Sequence, residues 1–442
     1  MPVRPESVER SRTSRKWELF NEWVPLEPAM GPSRAPATAE RKLLREMAKL
    51  VAEVSHAPQQ TEKRDLWKRH NGLQGARPMI LVFPEGSWRE ILPLESMTIS
   101  DPFWRDYEWY LRKTLYRWDN LPDDYVIEPV LPVPLVYTSS GWGIGIRRKY
   151  SSDPGGSYAF DAAIKDPRDI EGLKPPDVEV DWEATRSNLQ AVEDVFGDIL
   201  DVRLNRRVRL DTSLVATLAG LRGLEQLMID MIDRPNWVHE AMDILMRGTM
   251  RLLDRVEADG LLELNNRADY VGSGGLGYTD ELPQPGSSER GLRLRDLWGF
   301  AEAQEYAHVS PAMHDEFALR YQIPLLARFG LNCYGCCEPL TRKFDIVKRI
   351  PRLRRVSVSP WADLRIAAEA LGRDFILSWK PNPALLVGEL SPDLILKILR
   401  DGITVTGGCV VEIILKDTHT VEGHPERLTR WVEIAREATA CL

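Results

Sequence analysis

Residues 331–379 read LNCYGCCEPLTRKFDIVKRIPRLRRVSVSPWADLRIAAEALGRDFILSW. Three apolar runs stand out in this stretch: Leu331–Tyr334, Val356–Ser359 and Phe375–Trp379. Each is too short for a buried helix and fits a buried strand, whereas Ala362–Leu371 carries its apolar residues at helical spacing. The same alternation continues outward. Strand-like runs fall at Met79–Phe83, Tyr125–Val130, Val208–Leu210, Leu261–Leu264 and Val410–Leu415. Helical patterns fill Leu214–Met231, Trp237–Glu257, Met313–Phe329, Pro392–Arg400 and Pro425–Ala438. Ser310-Pro311, Ser391-Pro392 and His424-Pro425 place proline in a first helical turn, where its missing N–H costs nothing. Eight strands alternating with helices predict a (β/α)8 TIM barrel over residues 76–442. Residues 1–75 read as a charge-rich helical extension, with Ala37–Val54 as an amphipathic helix suited to packing under the barrel or to homodimerisation. A doubly wound open sheet is the alternative, but no G-x-G-x-x-G follows the first strand. Gly272–Gly277 lacks phosphate-loop context and is expected as a flexible loop over the site.

Composition narrows the function. The 442 residues carry 58 Lys+Arg against 66 Asp+Glu, a net charge of −8, with 43% hydrophobic and 28% charged residues. These are the proportions of a folded globular chain. Mild acidity argues against sequence-independent nucleic-acid binding, which needs a basic surface. No apolar stretch approaches the ~18 residues of a membrane span, and the first residues lack the apolar core of a secretory signal. Five cysteines, an odd number and three of them within Cys333–Cys337, fit a reducing cytoplasm and point to metal binding or catalysis rather than to disulfides. Cys333, Cys409 and Cys441 read as structural.

In a barrel the chemistry collects where the strands end. The first strand runs into Glu85 and Trp88, the fourth into Glu263 and Asn265, the fifth into Tyr334, Cys336, Cys337 and Glu338. The later ones run into Trp379 and Lys380, and into Lys416, Asp417 and His419. Thiolates and imidazole are the donors zinc prefers, and a catalytic zinc keeps three protein ligands and an open position. Cys336, Cys337 and His419 are the expected metal ligands, with Glu338 or Glu263 as alternatives. Asp417 stands where it orients His419. Glu263, Tyr334, Asp417 and His419 are the catalytic candidates. Glu85, Trp88, Asn265, Trp379 and Lys380 are expected to line the substrate pocket.

The run Leu331–Ala438 resembles the C-terminal half of the uroporphyrinogen decarboxylase superfamily, which includes cobalamin-dependent methyltransferases. The likeness lies in three turns. Tyr334-Gly335-Cys336-Cys337 is similar to a His-x-Cys-Gly turn, Trp379–Pro383 to a Gly-Asn-x-x-Pro turn, and Pro425–Leu428 to a Pro-x-x-Asn helix start. Upstream, Leu210–Met228, Asp230–His239 and Asp161–Pro176 add weaker similarity. The resemblance spans roughly Arg77 to Ala438 and implies a barrel. The decarboxylase branch holds substrate carboxylates with an arginine-rich turn after the first strand; here that turn carries Glu85. The methyltransferase branch, closer to this chain, implies zinc bound by a His, a Cys and a late Cys. This chain keeps Cys336, has Tyr334 in place of the histidine and offers His419 for the late cysteine.

The leading expectation is a methyltransferase passing a methyl group between a small molecule (a methoxylated aromatic, a methylamine or a thiol) and a corrinoid protein partner, with zinc as Lewis acid. No Asp-x-His-x-x-Gly corrinoid motif occurs in the chain, so the partner would carry the corrinoid. The alternative is a metal-free lyase or decarboxylase of small carboxylic acids. There Lys380, Lys416 and Arg267 would bind the carboxylate, and Asp417 or Tyr334 would supply the proton.

Overall fold

The computed structural model describes residues 31–75, 77–145, 147–150, 158–287 and 291–440. The first 30 residues of the expected extension and Cys441 therefore lie outside the described residues. Six strands form one parallel sheet. They are β1 (Met79–Val82), β4 (Trp298–Ala301), β5 (Leu331–Tyr334), β6 (Leu353–Val358), β7 (Ile376–Trp379) and β8 (Val410–Leu415), in spatial order β1-β8-β7-β6-β5-β4. A separate parallel pair is made by β2 (Val130–Pro134) and β3 (Asp201–Asn205). Strands β1, β5, β7 and β8 are buried at every position, as expected for a parallel sheet covered on both faces.

The arrangement is α/β and compatible with a barrel-like fold, but strand pairing among the described residues does not close eight strands. The reason is visible at the two sheet edges, where side chains replace a ladder neighbour. Along β1, Asp124 Oδ2 accepts the Ile80 N–H at 2.7 Å and Asp123 Oδ2 accepts the Val82 N–H at 3.0 Å. Along β4, Asn265 accepts the Trp298 N–H and donates to the Trp298 carbonyl, both at 2.9 Å. The expected strands at Tyr125–Val130 and Leu261–Leu264 thus lie near the sheet without joining its ladder. Strand β4, absent from the sequence-based expectation, joins it instead.

The helices cover the sheet from outside. Trp379 on β7 lies against the helix Pro392–Val405, where Gly402 leaves room for the indole; a Cβ there would overlap it. The last helix, Glu426–Thr439, packs on that helix and on β1. Side chains alternate along each strand, so the other set points to the interior.

That interior is filled from below. Helices α1 (Thr38–Ser55) and α2 (Pro58–Asn71) precede β1, and α2 delivers Trp67, His70 and Asn71 into the core, each almost fully buried. Glu412 of β8 pairs with Arg355 of β6 at 2.9 Å and with His70 at 3.2 Å. Asn71 Oδ1 accepts from Arg355 at 2.7 Å. The glycine-bearing stretch after Tyr270 is a buried hairpin, Tyr270–Val271 against Gly274–Leu276. It is not a flexible loop. Gly274 and Gly275 lie so close to Glu412, Ser378 and Arg355 that any Cβ would overlap them, which is one of the uses of glycine where backbone meets a packed neighbour.

Candidate functional site

Above this plug, the strand ends bring together a polar centre. Gly335, with φ of +88°, turns the chain after β5 so that Cys336 and Cys337 follow at the mouth. The turn is fixed on three sides: the Cys336 N–H donates to Glu338 Oε2 at 2.8 Å, Glu338 Oε1 accepts from Ala303 at 3.1 Å, and Ser357 donates to the Cys336 carbonyl at 2.7 Å. The two thiols lie 3.6 Å apart. Ser273, from the buried hairpin, donates to Cys336 Sγ at 3.4 Å. Cys337 Sγ donates to Asp417 Oδ2 at 3.7 Å.

The opposite wall is built by the turns after β1 and β8. Glu85 (φ +45°) and Asp417 (φ +59°) both hold left-handed backbone, a conformation that side-chain-bearing residues adopt only when neighbours enforce it. Here Glu85 Oε2 accepts the Asp417 N–H at 3.0 Å, while Thr418 Oγ1 donates to the Phe83 and Pro84 carbonyls at 2.7 Å each. Lys416 Nζ meets Asp417 Oδ1 at 2.9 Å. Lys380, at the end of β7, donates to the Ser378 carbonyl and hydroxyl at 3.1 and 3.0 Å.

The charges are mutually dependent. The hydrogen bond between the two thiols holds Cys336 below its ordinary range; burial opposes this, and Lys416, Ser273 and Lys380 reinforce it. Cys337 is pushed up correspondingly, by its bond to Cys336 and by burial. Burial works against the Lys416 ammonium, yet Cys336, Asp417 and Glu85 keep it charged and its pKa raised. Lys380 is brought down to about 8 by burial and by its neighbour Lys416. On the other flank, burial together with Glu338 and Glu305 pushes the Glu302 carboxyl up. The centre therefore combines a thiol disposed to ionise, two buried lysines and a group of reluctant carboxylates, at the face where barrel-like folds carry their chemistry.

Several expected members are elsewhere. Tyr334 points to the helical side of the sheet: its hydroxyl bonds His314 Nε2 at 2.8 Å and donates to Gln322 at 3.2 Å. Trp379 faces the helix layer as described above. Trp88 is fully buried and packs edge-on against Tyr116 and Trp109, with centroids 5.6 and 6.1 Å away. None of the three lines the centre. Neighbouring residues at a strand end point to opposite faces, which separates Trp379 from Lys380, while the turn at Gly335 separates Tyr334 from Cys336. Asn265 is spent on the β4 backbone, a structural task. Glu263 accepts the Arg206 N–H at 3.3 Å, away from the cysteines in its own contacts. Arg267 is exposed. His419 is exposed, and its backbone rests on Gly86.

The expected zinc ligands consequently do not assemble. Cys336 and Cys337 stand together, His419 is exposed, and Glu338 is committed to two backbone N–H groups. Among the described residues no group of three or more His, Cys, Asp or Glu side chains is arranged to hold a metal ion. The site residues missed by sequence reasoning are Glu302, Glu305, Ser273 and Tyr270, whose phenol is pushed up by burial and by nearby Glu85, Cys336 and Asp417. The first two follow β4, whose run Trp298–Ala301 was the signal to read. The hairpin pair was hidden because its glycines suggested mobility.

No family profile matches the chain, and no curated protein does. Among solved structures it is similar to a methyltransferase from Methanosarcina mazei, at 11% identity, over 85% of this chain and 97% of that one, with a TM-score of 0.48. No helix among the described residues is long and apolar enough to cross a membrane.

Proposed function

We propose that the chain is a methyltransferase that moves a methyl group between a small molecule and a corrinoid carried by a partner protein. The observation that carries this reading is the grouping of the Cys336–Cys337 pair, Asp417 and the buried Lys416 and Lys380 at the strand ends. A demethylated heteroatom leaves with an electron pair, and buried ammonium groups stabilise such a developing anion far better than water does. Lys416, held charged by Cys336 and Asp417, would meet that atom. Lys380, whose pKa burial and Lys416 bring down to about 8, would deliver or accept its proton. The corrinoid would supply a strong nucleophile toward the methyl carbon. Glu85 and Asp417 fix Lys416 in place and are positioning residues. Zinc is not needed for any of these roles, and the donor set does not favour it.

The experiment is to offer methoxylated aromatics, methylamines and methyl thioethers with reduced cobalamin as acceptor, and to follow methylcobalamin by its absorbance. Turnover is expected with one class and should fall on the order of 10²-fold in Lys416→Met. No turnover with any class, together with carbon dioxide release from a small carboxylic acid, would establish the second reading. That reading, a metal-free lyase, is favoured by the same two buried lysines, which suit a carboxylate.

A further inference from the structure

We propose that Cys336 and Cys337 are a redox-responsive vicinal dithiol, which a hydroperoxide converts into a disulfide that takes the Cys336 sulfur out of the site. The consequence for activity rests on the proposed function; the disulfide chemistry does not. Three features of the structure point to it. The two residues are adjacent in sequence and their sulfurs are 3.6 Å apart. Both are partly exposed at the mouth, whereas Cys333 is buried. Each sulfur also has a distinct partner: Ser273 donates to Cys336, marking it as the electron-rich sulfur, and Cys337 donates its proton toward Asp417.

The reaction balances with one peroxide. The Cys336 sulfur attacks one peroxide oxygen, an S–O bond forms, the O–O bond breaks, and the leaving oxygen departs as water with the thiol proton. The Cys337 sulfur then attacks the oxidised Cys336 sulfur, passing its proton by way of Asp417 to the departing hydroxyl. The S–S bond forms, the S–O bond breaks and a second water leaves. Two thiols are oxidised by two electrons and the peroxide is reduced by two. Closing the gap to an S–S bond of about 2.0 Å requires rotation about both Cα–Cβ bonds and adjustment of the Cys336–Cys337 peptide, because neighbouring Cα atoms, about 3.8 Å apart, lie closer than is usual in a disulfide.

The test uses the full chain. Wild-type protein is treated with stoichiometric hydrogen peroxide, free thiols are blocked, and the peptide holding residues 331–342 is analysed by mass spectrometry. The expected result is loss of two hydrogens within that peptide, with both cysteines protected from the blocking reagent and recovered by dithiothreitol. Cys337→Ser is expected instead to accumulate sulfinic acid at Cys336, which dithiothreitol does not reverse. Blocking reagent on both cysteines after peroxide treatment, or sulfinic acid at Cys336 in the wild type, would overturn the proposal. If the disulfide forms while methyl transfer is found in neither oxidised nor reduced protein, the functional reading fails and the dithiol stands.

Discussion

The phenol of Tyr334 and the imidazole of His314 meet at 2.8 Å on the helical side of the sheet, one residue from the glycine that turns the chain into the site. A side chain expected to be catalytic is thereby part of the wall. Tyr334→Phe leaves the imidazole and Gln322 without their partner, and the cost should be about 1–3 kcal/mol of stability. Urea unfolding is the measurement, and methyl-transfer kcat/KM should stay close to wild type. A collapse of kcat/KM at unchanged stability would return Tyr334 to the site.

The same pair makes acid sensitivity predictable. Burial, and then the charge of Lys343, hold His314 down at about 3. The unfolded chain therefore takes up this proton before the folded one does. Stability from this group is complete above the ordinary histidine value and is lost as pH falls toward 3, at up to about 1.4 kcal/mol per pH unit. Urea midpoints between pH 7 and 4.5 should fall less steeply in His314→Gln than in wild type. Parallel slopes would remove His314 as a cause.

Glu412 gives a larger effect. Burial raises its carboxyl, but Arg355 and His70 outweigh that and hold it well below the usual range. Its contribution is present above the unfolded glutamate value and is lost as pH falls below it. Glu412→Gln leaves Arg355 charged and uncompensated, at about 3–5 kcal/mol. Asp401→Asn, which breaks the exposed pair with Lys397 at 3.0 Å, should cost no more than about 1 kcal/mol. Thermal unfolding of the two variants decides it; equal shifts would contradict the buried network.

Thiol reactivity should single out one cysteine. The thiolate is the nucleophile toward alkylating agents, so iodoacetamide at neutral pH should label Cys336 before Cys337 and Cys409, and Cys333 last. Peptide mapping of a limited time course reads the order. First labelling at Cys409 would mean that Cys336 is not the ionised thiol.

Metal content follows from the donor count. Two adjacent thiols fall short of the three ligands a catalytic zinc uses. Protein dialysed against a chelator should retain well under one zinc per chain by elemental analysis, and activity should survive. Stoichiometric zinc that disappears in Cys336→Ser would show that a third donor closes onto the pair.

The patterning of short apolar runs and helical stretches was enough to read α/β architecture, because burial of a parallel sheet on both faces leaves that pattern in any one segment. Proline at helix starts and the Cys336–Cys337 turn were equally legible, since each is a local property. Which strands join the ladder was not: Asp123, Asp124 and Asn265 take the places of missing strand neighbours through side-chain bonds made across 33 to 44 residues of chain. Facing was not legible either. Tyr334 and Lys380 both stand at strand ends, and only the register of the folded sheet sends one to the helices and the other inward. His70 and the Gly274–Gly275 backbone lie far from Glu412 in sequence and touch it only in the folded chain. Local chemistry wrote the elements and the thiol pair; the convergence of Lys416, Lys380, Glu302 and Ser273 on that pair needed tertiary packing, because a buried charge finds its partner by position in space rather than by spacing along the chain.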